Sequence, residues 1–62
     1  MKHLFVEDCS DMTWCLVIYV TQRGVPMFGD DQSIALSDAD IQRCVDWCER
    51  TDHNWMVTEV VK

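Results

Sequence analysis

Ten consecutive residues, Met12 to Thr21 (MTWCLVIYVT), constrain the fold more than any other stretch of this chain. They are dense in β-branched and aromatic residues, the types that suit a pleated and buried surface. Alternation puts Met12, Trp14, Leu16, Ile18 and Val20 on one face and Thr13, Cys15, Val17, Tyr19 and Thr21 on the other. Both faces are largely apolar at the centre, so the segment reads as an interior strand with only its ends in water. The remaining elements must be arranged around it.

Upstream, His3 to Glu7 (HLFVE) reads as a short strand, followed by a turn at Asp8-Cys9-Ser10-Asp11. Downstream, Gln22-Arg23-Gly24 turns the chain, with Gly24 available for a positive φ. Val25 to Phe28 can pair as a short strand, and Pro26, lacking an N–H, assigns it to a sheet edge. A second turn follows at Gly29-Asp30-Asp31-Gln32, and Ser33 to Leu36 is ambiguous. Ser37 opens a helix as N-cap, with Asp40 at the third helical position in a variant capping box. Asp38 and Asp40 lie where the helix dipole favours negative charge, and Arg50 where it favours positive. Ile41, Cys44, Val45 and Cys48 recur at i, i+3, i+4 and i+7, one buried stripe. Trp47 lies roughly a hundred degrees off that stripe and should flank the core. The helix ends over Thr51 to Asn54, and Trp55 to Val61 (WMVTEVV) reads as a closing strand beside either the long strand or the first.

The fold class expected is therefore α+β: a three- to four-stranded, mostly antiparallel sheet with one helix packed on one face. The 62 residues make a single domain spanning 1–62. A chain this short buries only about 60% of the surface its unfolded form exposes, so its core is marginal. A hydrophobic fraction of 48% and three tryptophans nonetheless predict that it folds.

Eleven carboxylates against five lysines and arginines give a net charge of −6. The cations Lys2, Arg23, Arg43, Arg50 and Lys62 are scattered, which argues against direct binding to nucleic acid or an anionic membrane. An acidic field instead attracts basic protein surfaces. Glu7, Asp8 and Asp11 interrupt any signal-peptide pattern, and the apolar run from Met12 to Val20 is too short to span a bilayer as a helix. The expected location is the cytoplasm, with the four cysteines as thiols.

Little in the chain points to catalysis or to a cofactor. It has no nucleophile elbow, Gly-rich phosphate loop or His pair on one helix face, and His3 and His53 read as ordinary surface residues. Cys44 and Cys48 have a spacing that zinc sites use, but both fall on the stripe expected to be buried, where cysteine serves as a small hydrophobe. Cys9 and Cys15 lie in a turn and a strand, so a shared metal site would need special geometry. A Cys44–Cys48 disulfide is disfavoured, because helical neighbours hold their Cβ atoms about 5–6 Å apart and a disulfide wants about 3.5–4.5 Å. A zinc-stabilised domain and a homodimeric structural protein are the competing readings.

The candidate partner-binding residues are the loop acids Asp30 and Asp31, the helix acids Asp46 and Glu49, and the aromatics Phe28 and Trp47. Interface hot spots are enriched in Trp, Tyr and Arg, and Trp47 is the foremost contact candidate. A thin domain cannot bury everything, which leaves room for one of Trp14 and Trp55 to be exposed, but their strand positions assign both to the core. A row of carboxylates can stand in for nucleic-acid phosphates and occupy a basic groove on a protein that handles nucleic acid. In size, acidity and element order the chain resembles the small acidic proteins with which phages block host enzymes or defence systems, anti-CRISPR proteins and RNA-polymerase inhibitors among them. The local likeness is Val25-Pro26-Met27-Phe28 before an acid-capped helix carrying Trp47, then the strand Met56-Val57-Thr58-Glu59-Val60. Gly29 to Leu36 and the four cysteines depart from that pattern, and no functional residue is carried over. The resemblance implies an inhibitor that works by docking on a host protein.

Overall fold

In the computed structural model, which describes residues 2–8 and 12–59, the expected α+β architecture is present. The strands are β1 (Lys2–Asp8), β2 (Thr13–Val20), β3 (Pro26–Phe28) and β4 (Trp55–Glu59), with the helix α1 (Asp38–Thr51) between the last two. They form one four-stranded sheet in the order β3-β2-β1-β4. Every neighbouring pair is antiparallel. β2 is interior, with β3 on one side and β1 on the other. The closing strand lies beside β1, because β1 and β3 already occupy both edges of β2. The last residues of the expected closing strand, 60 and 61, lie outside the described residues, as do Cys9, Ser10 and Asp11.

α1 covers one face of the sheet. Leu4 and Val6 point to it and are fully buried, and Val57 stands opposite Leu4 and packs against the same cluster. The helix supplies the predicted stripe: Ile41, Cys44, Val45 and Cys48 are all buried. Trp47 is half-buried at the margin of this core, as its position on the helical wheel implies. Leu36, in the segment that was ambiguous, is buried and forms an isolated bridge to Lys2, its amide donating to the Lys2 carbonyl at 2.9 Å.

Strict alternation along β2 fails at one place. Trp14, Leu16, Ile18 and Val20 should share a face, yet Val20 is buried in the helix-side core together with Val17. The register against β3 shifts between Val17 and Tyr19, and this bulge reverses the phase of the strand. Ile18 and Tyr19 both stay out of the core, and Tyr19 is exposed.

The ends of the elements follow local chemistry. Ser37 caps α1, its hydroxyl accepting from the Asp40 amide at 3.3 Å. At the other end Asp52 adopts the left-handed conformation, with φ 60° and ψ 46°, and the amides of both Asp52 and His53 donate to the Cys48 carbonyl. Between β2 and β3, Gly24 has φ +86° and is pressed against α1, where a Cβ would lie 2.5 Å from the Arg43 carbonyl oxygen. No helix among the described residues is long and apolar enough to cross a membrane.

Candidate protein-binding surfaces

One helix covers only one of the two faces of the sheet. On the opposite face the pairings Phe5↔Leu16, Phe5↔Met56 and Glu7↔Trp14 set Phe5, Glu7, Trp14, Leu16 and Met56 side by side. Trp14 is 46% exposed and Met56 40%. Phe28, 46% exposed on the edge strand and paired with the helix-facing Val17, borders with Phe5, Trp14 and Leu16 a shallow trough of about 590 Å³. The loop after β3 closes one end of the trough. Its Gly29 amide donates to the Leu16 carbonyl at 3.0 Å, its Gln32 carbonyl contacts His3 Nε2 at 2.9 Å, and Asp30 and Gln32 line the rim. His3 stands edge-on to Phe5, ring centroids 6.3 Å apart.

The second surface lies on the flank of α1. Gln22, Arg23, Val25, Arg43, Asp46, Trp47, Glu49 and Arg50 line a groove of about 940 Å³ where the β2–β3 turn meets the helix. Many of its groups are already engaged within the fold. Arg43 pairs with Asp40 and donates to the Thr21 carbonyl, and Arg50 donates to the Arg23 carbonyl. Trp47 stacks on His53 with ring centroids 4.8 Å apart and planes at 26°. The Thr51 hydroxyl donates to the Trp47 carbonyl at 2.7 Å, so its 2.7 Å contact with His53 Nδ1 must be one in which the ring donates.

The six candidate contact residues therefore separate. Asp30 and the edge residue Phe28 border the trough of the open face, whereas Asp46, Trp47 and Glu49 belong to the helix flank, on the other side of the sheet. Asp31 serves its own turn: one carboxylate oxygen accepts from the Ser33 hydroxyl at 2.6 Å and from the Ser33 amide at 3.0 Å. These bonds, the hydroxyl first, hold the Asp31 carboxyl below its ordinary range. Two expectations about aromatics are corrected. Trp14 and Trp55 are not core residues; they are 46% and 41% exposed, while Trp47 is the more enclosed of the three. The reason is coverage, since Trp14 is on the face without a helix. The histidines are also not plain surface residues, because each is half-buried and bonded to a loop or a cap.

Charge is distributed unevenly between the two sides. Lys2 pairs with Asp38 at the start of the helix at 3.3 Å, and Arg23, Arg43 and Arg50 all line the flank groove. The open face carries the carboxylates Glu7 and Asp30 and, among the described residues, no lysine or arginine. Glu7 is held in place by Asn54, whose side-chain amide donates to it at 3.0 Å. Periodicity in β1 and β4 carried enough information to find Phe5, Glu7 and Met56 on this face.

Cys44 and Cys48 lie in the core with no exposed surface. Burial, reinforced by the neighbouring Cys48, pushes the Cys44 thiol up to about 12, and burial raises Cys48 as well. Both are therefore neutral thiols at physiological pH and poor nucleophiles. Among the described residues no group of three or more His, Cys, Asp and Glu side chains is placed to hold a metal ion.

The class defined by these features is a two-layer α+β domain with one bare, acid-rimmed sheet face. No family profile matches the chain, and comparison with curated proteins and with solved structures finds no match.

Proposed function

We propose that this chain is an acidic protein-binding module, an inhibitor that docks on a basic, nucleic-acid-binding surface of a target protein. The observation that carries the reading is the uncovered sheet face, where Trp14 and Met56 stand exposed beside carboxylates and away from every described lysine and arginine. Scattered apolar residues are ordinary on a protein surface, but a contiguous apolar patch with a polar rim is the usual mark of an interaction site. The net charge of −6 would speed encounter with a cationic partner. Small acidic phage inhibitors act in this way, and size and acidity support the comparison at the level of mode.

The test begins with capture of partners by the tagged chain, followed by stopped-flow association of the purified pair. Association should slow steeply as salt rises from about 0.05 to about 0.5 M, where screening falls within a few ångströms. A partner lacking a basic surface, or a rate indifferent to salt, would overturn the reading.

A further inference from the structure

We propose that the bare face of the sheet seats a cationic amphipathic helix of the partner protein, its apolar side in the trough over Phe5, Trp14 and Leu16 and its basic flanks against Glu7 and Asp30. The inference rests on the binding-module reading above and adds where the partner docks and in what form.

Layer geometry comes first. The molecule measures 32 × 24 × 15 Å, and its thin dimension is that of one sheet plus one helix. An antiparallel sheet can leave a polar face in water, but an apolar face is buried against another layer, either helices or a second sheet. The four strands make a face roughly 15–19 Å wide at about 4.8 Å per strand. A helix of about eleven residues spans that width at 1.5 Å per residue. The loop carrying Asp30 and Gln32 closes the end where His3 stands, leaving a trough with one open run along Phe5, Trp14 and Leu16. A trough closed at one end suits a single rod better than a second flat sheet.

Charge then selects the occupant. A second copy of this chain packed face to face would set an acidic rim against an identical acidic rim, with no described cation on that face to offset it. A helix bearing Lys or Arg beside its apolar stripe meets both requirements at once. Its anchors enter among aromatics, the side chains that dominate interface energetics, and its cations meet Glu7, already held in position by Asn54.

The probe is a synthetic Leu/Lys peptide of about 14 residues with helical spacing, compared with its Leu/Glu counterpart. Trp47→Phe/Trp55→Phe leaves Trp14 as the sole tryptophan reporter. The Leu/Lys peptide should shift Trp14 emission to the blue and move the backbone amide resonances of Phe5, Trp14, Phe28 and Met56. Trp14→Ser/Met56→Ser, which alters exposed side chains only, should weaken binding at least about tenfold. Glu7→Gln/Asp30→Asn should weaken it several-fold at low salt and little at high salt. Resonance shifts centred on the α1 flank would overturn the docking site while leaving the acidic-module reading intact. Equal binding of the Leu/Glu peptide would overturn the assigned partner chemistry. Sedimentation showing a dimer that Trp14→Ser/Met56→Ser dissociates, with no peptide binding, would give the face to a second copy instead.

Discussion

Gly24 and Cys44 show how much a single side chain decides in a domain with so small a core. At Gly24 two constraints coincide, a left-handed φ of +86° and a helix backbone that a Cβ would meet at 2.5 Å. The opposing atom is a main-chain oxygen, which cannot swing aside as a flexible side chain would. Gly24→Ala should therefore cost about 2–4 kcal/mol, combining backbone strain with overpacking. Urea denaturation measures this, and a loss below about 0.5 kcal/mol, the range of an ordinary surface change, would show that the turn yields freely. Cys44 adds a pH dependence. Its folded-state pKa of about 12 lies above the ordinary 9.0, so the associated stability is complete below pH 9 and is lost as pH rises from there toward 12. The fall can reach at most about 1.4 kcal/mol per pH unit for one thiol. The unfolding midpoint should drop between pH 9 and 10.5, and Cys44→Ala should flatten the slope. An equally steep decline in the variant would show that other groups cause it.

At the scale of elements, α1 was the most legible part of the chain, because its signals are local. The Ser37 cap, the acids of the first turn and the apolar stripe all lie within one contiguous segment and needed no partner to be read. Its C-terminal end was harder to place, since no glycine follows it. Asp52 takes the left-handed position instead, and its carboxylate stands at the end of the helix where the dipole favours positive charge. Asp52→Gly should therefore raise stability by about 0.5–1 kcal/mol, relief of strain outweighing the greater freedom of glycine in the unfolded chain. A shift of about 1 kcal/mol moves Tm by about 4–8 °C in a domain of this size, so calorimetry can see it. An unchanged or lower Tm would mean that Asp52 makes a compensating contact. β2 was legible as an interior strand but not in its phase. The bulge between Val17 and Tyr19 depends on how β3 pairs with β2, a long-range event with no mark in MTWCLVIYVT itself.

For the whole molecule, the decisive fact is that the single helix covers only one of the two sheet faces. The helix side holds the core, and the other side holds exposed aromatic and aliphatic side chains. Truncations on the two sides should therefore differ sharply. Leu4→Ala empties a fully buried site and should cost about 2–5 kcal/mol, a large share of the roughly 3–9 kcal/mol available at 0.05–0.15 kcal/mol per residue. Met56→Ala, on the bare face, should cost under about 1 kcal/mol and leave the fold intact. Equal losses at both positions, by thermal or urea unfolding, would mean that the bare face is part of the folding core.

Composition and local pattern were sufficient for the fold class, the helix with its cap and buried stripe, the interior placement of β2 and the acidity of the surface. Each of these follows from preferences expressed within a few neighbouring residues. The tertiary structure alone decided that β4 joins β1, that Val20 crosses to the helix side and that Phe28 and Asp30 part company from Asp46, Trp47 and Glu49. Burial belongs to the layer opposite a residue rather than to its own strand, and so Trp14, on a strand built for the interior, stands exposed where no layer covers it.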